Sequence, residues 1–171
     1  MYENKIITEP KWKSWIVQTT TPLFTPEQCR KIIESGRAQK PQQAQVGMGK
    51  PGGGTDTKKR VTTISWIPFQ EMEHMYRDLN NFIQKANENH FGFGDIQVTE
   101  NAQFTEYPEG GFYDWHMDCD VNMGHEPPVR KISMTLLLND PSEFEGGDLE
   151  LMAPGKFAEL KQGHAIIFAS F

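Results

Sequence analysis

Residues 103–118 read QFTEYPEGGFYDWHMD, and the last part of this stretch alternates in the way that a β-strand does. Because side chains two apart on a strand point to the same side, His116 and Asp118 are expected to aim an imidazole and a carboxylate at one point. The spacing predicts a pair of metal ligands. The competing interpretation is a solvated strand face, with Trp115 and Met117 packed in the core behind it.

An imidazole and a carboxylate make up two-thirds of the 2-His-1-carboxylate triad, which holds non-haem Fe(II) and leaves coordination positions open. Asp120 lies four residues from His116, roughly 13 Å along an extended strand, so the spacing favours Asp118 as the carboxylate ligand. Asp114 lies on the same face and stays an alternative ligand, or a partner for the second nitrogen of His116.

The third ligand of such a triad would be another histidine. His74 falls in a predicted helix and is expected on the surface. His90 lies near the end of that helix, where the helix dipole favours a cation. His125 is in a loop and is expected to face solvent or substrate, whereas His164 begins the last predicted strand and could in principle be the third ligand.

The first half of the chain predicts helices and two strands. Residues 12–18 predict a strand, and Thr25 with Pro26 predicts the start of a helix that ends at Gly36 and Pro41. Residues 61–67 predict a second strand. A stripe of methionines and aromatics at helical spacing over residues 69–91 predicts a longer helix with one buried face.

After Gly94 the apolar residues recur with a period of two, which is typical of strands. Helices followed by many short strands indicate an α+β fold, here a jelly-roll core of antiparallel strands supported by N-terminal helices. The predicted strands cover residues 96–107, 111–117, 131–138, 148–151 and 164–169.

Composition and charge exclude several classes of protein. The 171 residues suit a single domain, with residues 1–95 as helical support and lid and residues 96–171 as the jelly-roll core. A net charge of -6 argues against nucleic acid or an anionic membrane as the partner. The two cysteines show no scaffold spacing, and no apolar run is long enough to span a membrane, so we expect a cytoplasmic protein.

Residues 41–59 are rich in glycine, glutamine and lysine, with three consecutive glycines at 52–54. The pattern predicts a mobile surface loop, or a lid over a site, which long loops often provide. Arg60, at the end of this loop, and Trp115 are the candidates for contact with a substrate.

Four ordered blocks, with consistent gaps between them, carry a resemblance to a known family. Residues 103–118, 130–141 (RKISMTLLLNDP), 144–151 (FEGGDLEL) and 163–171 (GHAIIFASF) together resemble the Fe(II)- and 2-oxoglutarate-dependent oxygenases of the prolyl 4-hydroxylase type, including bacterial and phage relatives. The resemblance implies a double-stranded β-helix, the jelly-roll core of that family. It also implies that His116 and Asp118 ligate iron.

The resemblance further implies which residues meet the co-substrate. Tyr107 and the turn that contains Leu149 would line the 2-oxoglutarate pocket, and Leu137 stands where some relatives place a tyrosine. The implied cofactors are Fe(II), 2-oxoglutarate and O2, with ascorbate as an optional addition. In relatives the distal histidine and a basic residue for 2-oxoglutarate follow the last matched block, so we expect both to lie beyond Phe171.

The implied reaction is hydroxylation of a C–H bond with release of succinate and CO2, most simply on a prolyl residue of a peptide or protein. Two alternatives stay open. One is a non-catalytic jelly-roll module that binds a metal or another ligand, and the other is a hydroxylase of a free amino acid or small molecule. Fold resemblance alone does not choose among them.

Overall fold

A computed structural model describes residues 14–46, 54–119, 129–152 and 159–171 of the chain. Within these ranges the helices are α1 (Pro26–Ala38) and α2 (Glu73–Ala86). The strands are β1 (Ile16–Gln18), β2 (Gln42–Gln43), β3 (Arg60–Val61), β4 (Thr63–Ile67), β5 (Ala102–Glu106), β6 (Phe112–Tyr113), β7 (Ile132–Leu136) and β8 (Ala165–Ala169).

The strands pair in antiparallel fashion. One sheet has the order β1-β8-β7, a second has the order β2-β4-β5, and β3 and β6 form a two-stranded ribbon. Antiparallel sheets with helices against them confirm the predicted α+β class. Strands β1, β3 and β4 each pair with a strand from the later part of the chain, so residues 1–95 contribute strands as well as the predicted helical support.

Helix α1 begins where the sequence predicts. Thr25 caps it: its Oγ1 accepts a hydrogen bond from the Gln28 amide at 3.3 Å, and the Gln28 side chain accepts one from the Thr25 amide at 2.8 Å. The helix passes Gly36, the first of the two predicted stop signals, and ends at Ala38, before Pro41. Gly36 lies on the buried face instead, where a side chain would collide with the ring of Phe104.

Helix α2 connects the two larger sheets. Met75, Tyr76 and Leu79 in its first half are buried in a cluster with α1, β4 and β5, which confirms the predicted apolar stripe. Ala86 and the π-helical turn that follows (Asn87–Phe91) form a second cluster with Ile167 of β8. A single helix therefore supports both sheets, and it is preceded by a 3₁₀ turn over Phe69–Glu71.

Several predicted strands differ from the observed ones. The strand predicted over 61–67 is two strands, because the chain leaves the ribbon with β6 at Val61 and joins the β5 edge from Thr63. The strand predicted over 148–151 is wrong, since residues 144–152 have no regular secondary structure. The first strand starts at Ile16, and residues 12–13 of that prediction lie outside the described residues.

Residues 47–53 of the predicted lid also lie outside the described residues, but the chain on either side of them is paired. The amides and carbonyls of Val46 and Gly54 exchange hydrogen bonds at 2.9 and 3.0 Å. Across the described ranges, no helix is both long enough and apolar enough to cross a membrane. Cys29 and Cys119 do not form a disulfide, as the cysteine spacing predicts.

Candidate metal centre

His116 and Asp118 lie in an irregular segment, residues 114–119, that follows β6. The strand predicted through Met117 is therefore wrong, because β6 ends at Tyr113. Its partner β3 begins only at Arg60, and the amide of Asp114 makes the last cross-strand hydrogen bond, to the Lys59 carbonyl at 2.8 Å. Trp115 and Met117 are exposed, so they are not the buried opposite face of a strand.

The predicted convergence of the two side chains is nevertheless present. His116 Nε2 lies 3.1 Å from Asp118 Oδ1, and His116 Nδ1 lies 2.8 Å from the backbone carbonyl oxygen of Asp114. When Nδ1 donates its proton to that carbonyl, Nε2 is the nitrogen that faces Asp118. Asp114 is thus a partner of His116 through its backbone, while its carboxylate accepts a hydrogen bond from the Trp115 amide at 2.8 Å.

The two side chains shift each other's pKa in opposite directions. The hydrogen bond to Asp118 raises the pKa of His116 above its ordinary value, against the effects of burial and of the Arg60 charge. The pKa of Asp118 is lowered, although burial by itself would raise it. The lowering comes from hydrogen bonds with His116 and Ser133 and from the charges of His116 and Arg130. Each of the two side chains therefore favours the charged form of the other.

Asp118 is held by groups that the sequence analysis did not identify. Ser133, a buried residue of β7, donates a hydrogen bond to its carboxylate and shares another with Ser170 at 3.0 Å. Arg130 reaches the Asp118 carbonyl at 3.3 Å and forms an ion pair with Glu100 at 2.5 Å. The alternation of strand β7 predicts that Ser133 shares a face with Leu137, but only the fold brings that face to Asp118.

His116 is also positioned by a stack of side chains. Its ring lies parallel to the ring of Tyr113, with centroids 3.5 Å apart and 15° between the planes. The guanidinium carbon of Arg60 lies 4.2 Å from the same Tyr113 centroid. Two groups this close to one centroid must occupy its opposite faces, so Tyr113 is sandwiched between Arg60 and His116. This arrangement depends on the β3–β6 pairing, which places Arg60 opposite Tyr113.

The three residues predicted to meet the co-substrate lie in separate segments of the fold. Tyr107 is half exposed; burial raises the pKa of its phenol, which also lies within the electrostatic reach of Arg60 and Tyr113. Leu137 follows β7 on the strand face of Ser133, and its backbone pairs with His164 and Gly163. Leu149 is half-buried in the irregular segment 144–152.

The two predicted substrate contacts differ in their surroundings. Trp115 is 62% exposed and directly precedes His116 in the chain. Arg60 is only 7% exposed and belongs to the stack on Tyr113. An open groove of about 320 Å³ lies beside Arg60 and is lined by β2, residues 61–63 and Pro108. Thr62, which accepts a hydrogen bond from Arg60 at 3.0 Å, is one of its walls.

No third histidine joins the pair within the part of the chain that the structure describes, and no group of three or more metal-binding side chains occurs there. His164 is bound to Thr19 through Nδ1 at the opposite end of β8 from Ser170, so it does not join His116 and Asp118. His74 is exposed and His90 contacts Ser14; His125 and Asp120 lie outside the described residues. The two converging donors fit two of the three protein ligands that an Fe(II) triad needs.

A comparison with known proteins identifies a family that the C-terminal part of the chain, residues 102–171, matches. Residues 102–171 match the model of the 2OG-Fe(II) oxygenase superfamily. The resemblance predicted from the four sequence blocks is therefore confirmed over these residues. Members of this family use Fe(II), 2-oxoglutarate and O2.

Two curated proteins that are similar to part of this chain are both PKHD-type hydroxylases. A PKHD-type hydroxylase of Gluconacetobacter diazotrophicus is 38% identical over 61 residues, which are 34% of this chain and 27% of the relative. A PKHD-type hydroxylase of Prochlorococcus marinus is 35% identical over 71 residues, 40% of this chain and 31% of the relative. The matched stretch thus spans less than a third of each relative's length.

Proposed function

We propose that this chain is an Fe(II)- and 2-oxoglutarate-dependent dioxygenase that hydroxylates a prolyl residue of a peptide or protein. The observation that carries the proposal is the 3.1 Å approach of His116 Nε2 to Asp118 Oδ1, inside the segment that matches the oxygenase family. Bound Fe(II) and 2-oxoglutarate would supply the oxidising chemistry, in which O2 is consumed, succinate and CO2 are released, and the substrate gains a hydroxyl group.

The chain's own residues would orient the reacting groups. The Asp114 carbonyl holds the Nδ1 proton of His116 and so keeps Nε2 available to a metal, while Ser133 holds the Asp118 carboxylate. Tyr107, Leu137 and Leu149 are proposed to line the 2-oxoglutarate pocket. Strand β7 supports the place of Leu137 in this pocket. Ser133 of β7 contacts Asp118, and Leu137 follows on the same strand face, four residues further along the chain.

The substrate and the finer fold are also proposals. The open groove beside β3 suits an extended peptide better than a free amino acid. We further propose that the antiparallel sheets belong to a double-stranded β-helix, which is the fold that the family match implies. The cytoplasmic location stays a prediction that rests on cysteine usage.

Calorimetric titration of 2-oxoglutarate under anaerobic conditions, with and without Mn(II) in place of iron, tests the proposal. Binding that requires the metal is the expected result, because the co-substrate would bind through a metal held by His116 and Asp118. Binding that ignores the metal, or no binding at all, would contradict the proposal and favour the non-catalytic binding module. If binding depends on the metal, succinate release with a proline-containing peptide, compared with free proline, then identifies the substrate class.

A further inference from the structure

Two buried hydroxyl groups connect Asp118 to the end of β8. Ser133 of β7 donates a hydrogen bond to the Asp118 carboxylate, and its Oγ lies 3.0 Å from the Oγ of Ser170, the residue that follows β8. Both serines are buried. Ser170 therefore reaches the predicted metal ligand through one intermediate side chain.

The backbone of Ser170 is held on two sides. Its amide donates to the Lys131 carbonyl at 3.1 Å, which extends the β7–β8 pairing by one residue, and its carbonyl accepts from the Cys119 amide at 2.8 Å. Cys119 directly follows Asp118 in the chain. Ser170 is thus bound both to the sheet and to the irregular segment that carries His116 and Asp118, and these contacts fix where its side chain begins.

The number of available protons sets the direction of the two side-chain hydrogen bonds. A serine hydroxyl donates one proton and can accept at the same time, whereas an ionised carboxylate only accepts. Because the Ser133 proton goes to Asp118, the bond between the two serines requires the proton of Ser170. Hydrogen bonds in such a chain polarise one another, so donation by Ser170 strengthens the bond from Ser133 to the carboxylate.

We propose that Ser170 is a positioning residue for Asp118: it donates to Ser133, and Ser133 in turn holds the carboxylate in the orientation that faces His116. Asp118 lies outside any strand, so strand pairing does not fix its side chain, yet its Oδ1 lies 3.1 Å from His116 Nε2. The inference deepens the proposed function and rests on it only for the consequence that a metal binds there.

Neutron diffraction from crystals of the native, metal-free chain in D2O tests the direction of the chain of hydrogen bonds, because it locates the deuterons on hydroxyl oxygens. The expected result is a Ser170 deuteron directed at Ser133 Oγ and a Ser133 deuteron directed at Asp118. A Ser133 deuteron directed at Ser170 overturns the proposal. The measurement depends on no variant and on no metal.

Nuclear magnetic resonance of the whole chain, with ¹³C at the aspartate carboxyl carbons, measures the effect on Asp118 itself. The Asp118 signal is assigned by its absence in Asp118→Asn. Ser133→Ala and Ser170→Ala should each shift that signal in the metal-free chain. Thr135→Val, which removes an exposed hydroxyl from the same strand β7, is the matched control and should leave it in place.

The double variant distinguishes positioning through Ser133 from a general effect on packing. If Ser170 acts through Ser133, Ser170→Ala should no longer move the Asp118 signal once Ser133 is replaced by alanine. Shifts of equal size in the two backgrounds overturn the proposal, because Ser170 would then influence Asp118 by another path. An Asp118 signal that does not move in Ser170→Ala alone overturns it as well.

Mn(II) affinity, measured by calorimetry, gives the size of the effect. Ser133→Ala is expected to weaken Mn(II) binding by about 10- to 100-fold, the range for loss of a group that orients a metal ligand. Ser170→Ala should weaken it less, since Ser133 can still donate to Asp118. Native Mn(II) affinity in folded Ser133→Ala overturns the proposal.

The proposed function and the role of Ser170 can fail separately. A native chain that binds no metal rejects the proposed function, while the deuteron positions and the ¹³C shifts still decide the role of Ser170. Metal-dependent 2-oxoglutarate binding, with an Asp118 signal that Ser170→Ala leaves unmoved, rejects the role of Ser170 and keeps the proposed function.

Discussion

The imidazole of His116 lies flat against the phenol ring of Tyr113, with ring centroids 3.5 Å apart. Together with the hydrogen bond from Nδ1 to the Asp114 carbonyl, this contact restricts the ring in two directions. The ring plane is held by Tyr113 and its rotation by Asp114. A metal ligand that is fixed before the metal arrives loses less conformational entropy on binding.

Replacing Tyr113 is therefore expected to weaken metal binding without removing a ligand. In Tyr113→Leu the stack is lost, and Mn(II) affinity should fall by about three- to tenfold, the size expected for one aromatic pair. Tyr113→Phe keeps the ring and is the matched control. Equal Mn(II) affinities in the Leu and Phe variants, measured by calorimetry, would show that the stack does not position His116.

Removing the carboxylate has a larger expected effect. Asp118→Ala leaves His116 as the only member of the described pair, so metal-dependent succinate production should be abolished. Mn(II) affinity should fall by more than the roughly 10- to 100-fold that loss of an outer partner costs. Asp95→Ala, which removes an exposed aspartate, is the control. Full succinate production by Asp118→Ala would reject its assignment as a ligand.

Gly36 is expected to tolerate no side chain, although alanine is the better helix former by about 1 kcal/mol. A Cβ at Gly36 would collide with the ring of Phe104, and overpacking of this kind costs typically about 1–3 kcal/mol or more. The clash therefore outweighs the gain, and Gly36→Ala should lower the free energy of unfolding in urea. Gly94→Ala, where no atom lies within 4 Å, should not.

A second substitution identifies the cause of that loss. Phe104→Leu makes room at the contact, so its combination with Gly36→Ala should be less destabilised than the sum of the two single variants. Additive effects would show that Gly36 is needed for another reason. One such reason is the position of its carbonyl, which accepts a 2.6 Å hydrogen bond from Ser65.

The convergence of His116 and Asp118 could be predicted because the two residues are close in sequence, so it depends on a few dihedral angles. The reason given by the spacing, a continuous strand, is wrong: the segment leaves β6 after Tyr113. Ser133 could not be identified in the same way. Its contact with Asp118 depends on how β7 packs against a distant segment, which no local pattern records.

In the fold, too, features set by neighbouring residues could be predicted, and features set by contacts between distant segments could not. The cap at Thr25 and the stripe on α2 are local patterns, and both are confirmed. Gly36 looks like a helix end in the sequence. In the structure it lies within the helix, and a glycine is needed there because the Phe104 ring of a distant strand packs against it. Residues 148–151 alternate like a strand but pair with no strand in the described part of the chain, and a strand needs a partner for its backbone hydrogen bonds.

Tyr76 joins two strands through one hydroxyl group, and its removal should be costly. The hydroxyl donates to the Ile67 carbonyl at the end of β4 and accepts from the Ala102 amide, at the start of β5, at 2.6 Å. Tyr76→Phe leaves both backbone groups without this partner, which should lower the free energy of unfolding by about 1–3 kcal/mol.

The same hydroxyl predicts a loss of stability at alkaline pH. Burial raises the pKa of Tyr76 above its ordinary value of 10.0, so the folded chain keeps a proton that the unfolded chain releases. This contribution to stability is complete below pH 10 and is lost as the pH rises through the folded-state pKa. Urea unfolding between about pH 9 and 11 should show a steeper fall for the native chain than for Tyr76→Phe. Parallel curves would mean that Tyr76 does not ionise on unfolding in this range.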